Sequence, residues 1–449
     1  MSNKRIGAKN FGDIYVEGKR YRSRREWRGV VDTLYDYSRW LYNWINMFRI
    51  VLVKPRNIKA MFRYRWMANY LAVPMMVDRH TQGLRGEHLR ICHAEQDVII
   101  EDVAKLLDKL FRGDRRIGND EEFSKKVVLV DENEMQSVMM GFPTVVPLSR
   151  EIASTYIPVL LNQRAAIHYI DVAQEYGLAG DVCPMPEAEA GVSINDDAPI
   201  LGCCAVQCNT TCDGSLLSNG VISKRMEFED GIPVFQLASP LRHMNEDVQE
   251  YAAQEIRNAI AFIEEHTGEK WDWDYYFECA KRVNYATKCR LEWLEMSKSP
   301  YPQVFGSNLA LYTETNYMAI SGRLPIFEKT DRKIMRLAEK AYKKKKMAAN
   351  EYRHRAIVWG VQSHYYMDLL VWMLNCWGIV PLTDMLSMDN TTMIAEEDTP
   401  ENREQAMYDI AMLTEKMIMR NRTHGGYKVL LDDLWEIVTE FNADMVILW

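Results

Sequence analysis

Residues 180–216 read GDVCPMPEAEAGVSINDDAPILGCCAVQCNTTCDGSL, and this stretch carries five of the nine cysteines of the chain. We expect Cys183 on a turn, because Pro184 has no backbone N–H and favours extended geometry in the residue before it. Residues 199–207 form a short apolar run typical of a buried strand. The run ends in the small polar loop 208–214, which is where open α/β sheets place their functional groups.

Three interpretations of these thiols compete. Cysteine is often only a small buried apolar residue, and Cys203 and Cys204, inside the apolar run, fit that role. A zinc site begun by Cys208 and Cys212 would need a second CxxC or HxxxH pair to complete a tetrahedron. An iron–sulfur cluster takes thiolates from separated segments, as Cys183 and Cys212 could provide. Spacing alone leaves the three interpretations open.

Composition bounds the class of protein. The 449 residues suffice for two or three domains, and 47% of them are apolar. No apolar run approaches the roughly 18 residues of a membrane span, and the amino terminus lacks a signal-peptide core, so we predict a soluble, cytoplasmic protein. Clustered cysteines are not a disulfide framework, which indicates a reducing compartment. The net charge of −8 gives no reason to expect nucleic acid as a partner.

The first 70 residues differ from the rest. They hold sixteen Lys and Arg against five Asp and Glu, which leaves −19 on the remainder of the chain, and fourteen aromatic residues are interleaved. Apolar spacing predicts one helix over 24–53, broken before Pro55, and a second over 58–71. This composition favours a docking surface for an acidic protein partner. The alternatives to a protein partner are a nucleic acid, a membrane surface or the phosphates of coenzyme A.

Alternating strand and helix patterns follow. They predict a helix over 88–112, a buried strand over 127–130, helices over 158–177 and 216–226, and a strand over 232–237. Long helices over 245–268, 271–296, 308–323 and 331–349 come next. A second α/β unit starts at Ala356, with strands at 379–382 and 445–449 and helices at 367–376, 402–419 and 430–442. Cys279 and Cys289, ten residues apart on one helix, point in different directions and are predicted to be core residues.

The GDVC turn, the NTTCDG loop, the strand 232–237 and the long helix after it resemble the 2-hydroxyacyl-CoA dehydratase / benzoyl-CoA reductase family. The resemblance covers residues 131–449. It implies that each large subunit binds a 4Fe-4S cluster through three cysteines, two of which match Cys183 and Cys212. The family also has a glutamate that opens a helix after the first strand, followed by a glycine and a proline. Glu134, Gly141 and Pro147 fit that pattern, although the proline expected just before the glutamate is missing.

The resemblance further implies an α/β fold with two flavodoxin- or Rossmann-like lobes joined by a helical section. We therefore predict a helical N-terminal arm over 1–125, a first lobe over 126–240, a helical bridge over 241–350 and a second lobe over 351–449. The third cluster cysteine is expected just after the last strand, beyond Trp449, so truncation is favoured over Cys376 as a substitute ligand. An apolar edge strand at a natural end would also be prone to aggregation.

The function implied is that of a radical dehydratase subunit. Removing water from an (R)-2-hydroxyacyl-CoA requires the loss of an unactivated β-proton, which one-electron reduction of the thioester to a ketyl radical makes acidic. The implied partners are the acyl-CoA substrate, a homologous second subunit and an ATP-dependent iron–sulfur activator. Glu134 is the candidate catalytic base or hydroxyl anchor, and a plain helix-capping role is its alternative. A benzoyl-CoA reductase-type subunit and a non-catalytic scaffold with a degenerate cluster site are the alternative functions.

Overall fold

The computed structural model describes residues 27–448 except 82, 131–133, 150–162, 209–212, 239–245, 305–308, 310–311, 314–321, 348–351, 360–372, 374–377, 385–391 and 416–426. The described helices are α1 (Val30–Met47), α2 (Pro55–Arg63), α3 (Val73–Asp78), α4 (Gly86–Gly113), α5 (Glu121–Ser124), α6 (Gln163–Tyr176), α7 (Pro184–Ile194), α8 (Asp213–Phe228), α9 (Glu246–Thr267), α10 (Trp273–Lys298), α11 (Pro325–Lys343), α12 (Pro400–Glu415) and α13 (Tyr427–Glu440). The described strands are β1 (Val127–Val130), β2 (Val146–Ser149), β3 (Cys204–Cys208), β4 (Val234–Leu237), β5 (His354–Trp359), β6 (Ile379–Asp384) and β7 (Met445–Leu448).

The strands form two parallel sheets, which confirms the predicted α/β class. The first sheet has the order β2-β1-β3-β4 and the second the order β6-β5-β7. In the first sheet β1 pairs with β2 on one side and with β3 on the other. The strand order therefore reverses between β1 and β3, which is the flavodoxin-like arrangement that leaves a crevice at the carboxyl ends of these two strands.

Both faces of the first sheet are covered, so β1 and β3 read as continuous apolar runs rather than alternating ones. Val127 and Leu129 of β1 pack into a core shared with α4, α7, α8 and α11. Val128 and Val130 point the other way, into a core formed with α9, α10 and α12. The helix α12, which lies between two strands of the second sheet in the chain, thus contributes to a core of the first sheet.

A buried arginine fixes the second sheet to the helical section. Arg355 of β5 donates from Nη2 to the carbonyl oxygens of Ser297 and Phe441, each at 2.8 Å, and from Nη1 to that of Ser299 at 2.9 Å. Ser297 lies at the end of α10 and Phe441 directly follows α13. The carbonyls of two helix ends, which have no partner inside their helices, thereby satisfy one guanidinium.

Several predicted boundaries are corrected. The helix predicted over 58–71 ends at Arg63, and residues 65–72 form a 3-10 helix, because Tyr64 leaves helical geometry with φ −107° and its hydroxyl donates to Asp114. The strand predicted from residue 199 begins only at Cys204. Ile200 instead donates its N–H to Asp114 Oδ1 and accepts from Arg115, which ties this segment to the end of α4. The N-terminal helix passes into a π-helical turn at Phe48–Leu52 before Pro55.

Besides the short helices α3 and α5, two elements near the site were not predicted. The helix α7 begins directly after Cys183, although its sequence contains Pro184, Pro186 and Gly191. The edge strand β2 contains Pro147, which an edge strand tolerates because one side makes no ladder hydrogen bonds. The helix predicted over 367–376 lies outside the described residues apart from residue 373, and most of the one predicted over 308–323 does too.

Candidate functional site

The candidate site lies at the crevice between the carboxyl ends of β1 and β3. The loops that leave these ends, 131–133 after β1 and 209–212 after β3, lie outside the described residues, and Cys212 is one of them. The elements on either side of both loops are described and define the place where the loops start and finish. In parallel α/β sheets this place is where ligands bind.

Cys183 stands at the start of α7 and is half-buried. It is the residue before the first helical one, with extended geometry (φ −60°, ψ 125°), and Pro184 opens the helix. This confirms the turn predicted from Pro184, since proline disfavours helical geometry at the preceding residue and is tolerated at the first helical position. The backbone N–H groups of the first turn of α7 therefore point toward the end of the helix where Cys183 lies.

Gly214, in the first turn of α8, lies directly against Cys183. A Cβ atom added to Gly214 would stand 3.2 Å from Cys183 Cβ, 3.2 Å from its backbone nitrogen and 3.3 Å from its carbonyl oxygen. These distances are shorter than most Cβ contacts in proteins, so a glycine favours this approach of two backbones. Gly214 is two positions after Cys212 in the chain, so their Cα atoms are at most about 7 Å apart. The structure thus brings the segment that follows Cys212 into contact with Cys183.

Two helix amino termini, those of α7 and α8, meet at this point. Each carries backbone N–H groups without a partner inside its helix and the positive end of a helix dipole. Such ends favour bound anions, including thiolates and the net negative charge of a thiolate-ligated cluster. The donor set that is described fits an anionic group held by thiolate, although the described residues hold no group of three His, Cys, Asp or Glu side chains arranged for a metal ion.

The other cysteines of the stretch lie in the sheet. Cys204 and Cys208 are fully buried and face the core formed with α9, α10 and α12. Cys203 Sγ donates to the carbonyl oxygen of Val127 at 3.2 Å, at the amino-terminal edge of the sheet. Because four residues of strand span about 13 Å, Cys203 and Cys204 are far from the carboxyl edge. The predicted core role is confirmed for Cys204, whereas Cys203 is only half-buried. Cys279 and Cys289 are buried in α10, which confirms the same prediction for them.

Glu134 begins the 3-10 helix Glu134–Met139, immediately after the loop that follows β1. The predicted position at a helix amino terminus is therefore observed for its backbone, in a 3-10 rather than an α-helix, while its side chain lies outside the described part of the structure. The segment that follows Glu134 is held in place by the close packing of Gly141. A Cβ atom added there would stand 2.2 Å from the Trp271 ring, and the carbonyl oxygen of Gly141 accepts the N–H of Asp272 at 2.8 Å.

A further carboxyl group near the site was not singled out from the sequence. Glu187, one turn after Cys183 on α7, is buried, with Gln174 Nε2 at 3.4 Å from both of its oxygens. Burial raises the pKa of this carboxyl, and the negative charge of Asp181 adds to the effect. A carboxyl that retains its proton to higher pH is suited to donate one. The sequence signal was an acidic residue in the first turn after a Cys-Pro pair.

Asn219 of α8 holds the end of β3. Its Nδ2 donates to the carbonyl oxygen of Cys208 at 2.9 Å, the last residue before the loop that carries Cys212. Its Oδ1 is buried and has no hydrogen-bond donor among the described residues. Asn219 therefore anchors the start of this loop with one end of its amide and keeps an acceptor available beside it.

Comparison with known proteins gives one kind of evidence beyond the geometry. A model of the family described as "2-hydroxyglutaryl-CoA dehydratase, D-component" matches residues 144–449, about two thirds of the chain. The match includes Cys183, Gly214 and Cys212 and begins ten residues after Glu134. The comparison with curated proteins gives no match. Among the residues that the structure describes, no helix combines the length and apolarity needed to cross a bilayer.

Proposed function

The chain belongs to the 2-hydroxyglutaryl-CoA dehydratase D-component family, and we propose that it is one subunit of a radical dehydratase that removes water from an (R)-2-hydroxyacyl-CoA. The contact between Gly214 and Cys183 carries this proposal. It joins the two segments whose cysteines the resemblance assigns to a cluster, at the edge of the sheet where ligands bind. The family is known for iron–sulfur chemistry.

We propose Cys183 and Cys212 as two of the thiolate ligands of a 4Fe-4S cluster. When bound, the cluster would supply low-potential electron transfer and an iron with an open position that polarises an oxygen of the substrate. The amino termini of α7 and α8 would stabilise its negative charge through their backbone N–H groups. The third thiolate ligand stays a prediction.

The chain's own groups would handle the protons. In the net reaction the α-carbon loses hydroxide, the β-carbon loses a proton, a carbon–carbon double bond forms and water leaves. One-electron reduction of the thioester carbonyl to a ketyl radical makes the β-proton acidic, and the electron is recovered at the end. Glu134 follows the loop at the carboxyl end of β1. We propose that it accepts that proton or holds the hydroxyl group.

The proposed partners follow from the same assignment. A D-component implies a partner component, which we propose to be a homologous second subunit. An ATP-dependent iron–sulfur activator would supply the electron. The net reaction consumes no electron, but one electron is needed to start it. A benzoyl-CoA reductase-type subunit and a scaffold subunit are the two alternative outcomes that the following experiments separate.

Anaerobically purified chain is analysed for iron and sulfide, in the wild type and in the variants Cys183→Ala, Cys212→Ala and, as a control, Cys279→Ala. Cys279 is a matched control because it is a buried cysteine of α10 that packs in the core. About four irons per chain are expected in the wild type and the control, with a loss of more than about half in each of the other two variants. Equal iron in all four proteins, or none in the wild type, would refute the cluster assignment; absence of iron would favour the scaffold.

The substrate class needs a second measurement. The cluster-loaded protein is combined with its co-expressed partner subunit and the activator, and is given (R)-2-hydroxyacyl-CoA or benzoyl-CoA in separate reactions. Loss of water from the former, seen as the enoyl-CoA product, is the expected result. Reduction of the aromatic ring with no dehydration would instead identify the reductase-type subunit.

A further inference from the structure

The helix α1 has a mainly polar buried face and a mainly apolar exposed face. Its buried residues are mainly polar, with Asp36 fully buried and Asn43 and Asn46 nearly so, whereas most of its solvent-facing residues are apolar. Large apolar side chains are normally turned toward the core of a monomer, and a polar face toward water. An inverted helix therefore indicates a second contact surface.

Polar pairs contribute much of the contact of α1 with the rest of the chain. Asp32 accepts from Arg90 at 2.9 Å, and Asp36 Oδ1 lies 2.8 Å from His93 Nε2, both on α4. Arg39 is paired with Asp97, further along the same helix. The charges of α1 are thus used inside the molecule. The acidic partner predicted from the basic and aromatic composition is not what the exposed face of α1 would recognise.

The exposed apolar residues follow a heptad spacing. They are Val31, Leu34, Leu41 and Ile45 on α1 and Phe48 directly after it, exposed to between 43% and 71%, with the exposed Ser38 at the one remaining position of the stripe. Steps of three and four residues alternate from 31 to 48, which is the a/d pattern of a helix that packs against another helix. The partner of this face is therefore a helix.

The stripe is complementary to itself in an antiparallel arrangement. A two-fold axis that passes between Ser38 and Leu41 relates two antiparallel copies of the stripe. It places Ser38 of one copy opposite Leu41 of the other, and Leu34 opposite Ile45. Val31 then lies opposite Phe48. Small residues face large ones in two of these three layers, which lets facing side chains interdigitate. The hydroxyl of Ser38 is already satisfied by the carbonyl oxygen of Tyr35 at 2.7 Å, so burying it leaves no unpaired donor.

The flanks and the area agree with self-association. The exposed residues beside the stripe are Val30, Tyr37, Tyr42 and one cation, Arg49, so they provide no alternating charge pattern that would select a different partner. At about 100 Å² for each of these eight apolar side chains, the face exposes on the order of 800 Å². Stable interfaces bury roughly 800 Å² per partner, and the largest apolar patch of a typical monomer is about 300–600 Å².

We infer that the exposed face of α1 pairs with the same face of a second copy of this chain, in an antiparallel helix pair centred between Ser38 and Leu41. The helix precedes the segment matched by the family, residues 144–449, so the pairing is a property of this chain and does not rest on the proposed function.

Sedimentation equilibrium of the full-length protein tests the pairing. The wild type is expected at twice the chain mass of 52.4 kDa. Leu34→Lys and Ile45→Glu, tested separately, should each weaken the dimer by roughly 100-fold or more, because each buries a charge opposite an apolar residue. Phe228→Lys is the control, since Phe228 of α8 is 81% exposed and lies outside the stripe. It should leave the dimer intact.

The double variant Leu34→Lys/Ile45→Glu separates this arrangement from others. In the antiparallel pair the lysine introduced at position 34 would face the glutamate introduced at position 45 of the second copy, so the dimer should be largely restored. In a parallel pair like charges would meet and the double variant would be monomeric. A monomeric wild type, a dimer that survives both single variants, or a double variant that is not rescued would each overturn the inference. A wild type that dimerises only with a different subunit also counts against it.

Discussion

The replacement Gly214→Ala tests the contact that brings α8 against Cys183. Alanine is normally favoured over glycine in a helix by roughly 0.5–1 kcal/mol. Here the added Cβ would meet three heavy atoms of Cys183 at 3.2–3.3 Å, inside the optimal separation of about 3.5–4.0 Å. Cys183 is held by Pro184 at the start of α7 and has little freedom to move. Overpacking of this kind costs about 1–3 kcal/mol, so a net destabilisation of about 0.5–2 kcal/mol is expected.

Gly220→Ala is the matched control, because Gly220 lies on the same helix and a Cβ added there meets nothing within 4 Å. It should stabilise the protein by about 0.5–1 kcal/mol. The two alanine variants should therefore shift the melting temperature in opposite directions, by roughly 2 °C per kcal/mol, in differential scanning fluorimetry. The iron content of Gly214→Ala should also fall, since the first turn of α8 has to move away from Cys183.

A Gly214→Ala variant as stable as Gly220→Ala, with unchanged iron, would refute the reasoning. It would mean that α8 tolerates a side chain at the contact, and that the approach of the two segments does not depend on glycine. The iron content of Gly214→Ala and the melting temperature of Gly220→Ala are independent measurements. A fall in stability without loss of iron would support the packing argument and remove the link to the cluster.

Three further predictions concern the fold. Gly141→Ala would place a Cβ 2.2 Å from the Trp271 ring, so it should lower the melting temperature by at least as much as Gly214→Ala, and an unchanged value would contradict the contact. Asp36→Ala removes the carboxylate that pairs with the buried Arg28 at 2.7 Å and should cost about 3–5 kcal/mol in thermal unfolding, whereas removal of an exposed carboxylate should cost under about 1 kcal/mol. Burial raises the pKa of Asp331 to about 7 from 3.8, so the folded chain binds the extra proton between these values and loses stability as the pH rises through them. Asp331→Asn should then gain melting temperature relative to wild type as the pH rises from about 4 to about 7, and a constant difference would exclude this titration.

The sequence predicted most elements whose physical signal is local. The strands β1 and β7 are short apolar runs rich in β-branched residues, and α4 has a regular apolar period, so these were predicted within a few residues. The helix α7 was missed because Pro184, Pro186 and Gly191 lower its helix propensity. Nearly all of it is also buried, which removes the amphipathic pattern. Its stability comes from packing between α6 and α8, which no local pattern encodes.

The candidate site was predicted in part for a similar reason. The turn at Cys183 follows from Pro184 alone, and the loop at Cys212 from the end of an apolar run. The approach of the two depends on Gly214, whose need for an absent side chain appears only once α7 and α8 are placed. The outward face of α1 was also beyond prediction. Its period predicts a helix and its composition predicts a docking surface, but not that the exposed face of the helix is the apolar one.

The late position of α12 in the chain has a consequence for how the protein matures during synthesis. Val128 and Val130 of β1 emerge from the ribosome about 280 residues before Ile410, which belongs to the same apolar core. At roughly 5–20 residues per second, translation leaves that core without its last helix for about 15–60 s. During this interval the nascent chain is expected to be a client for a chaperone that binds exposed apolar surface.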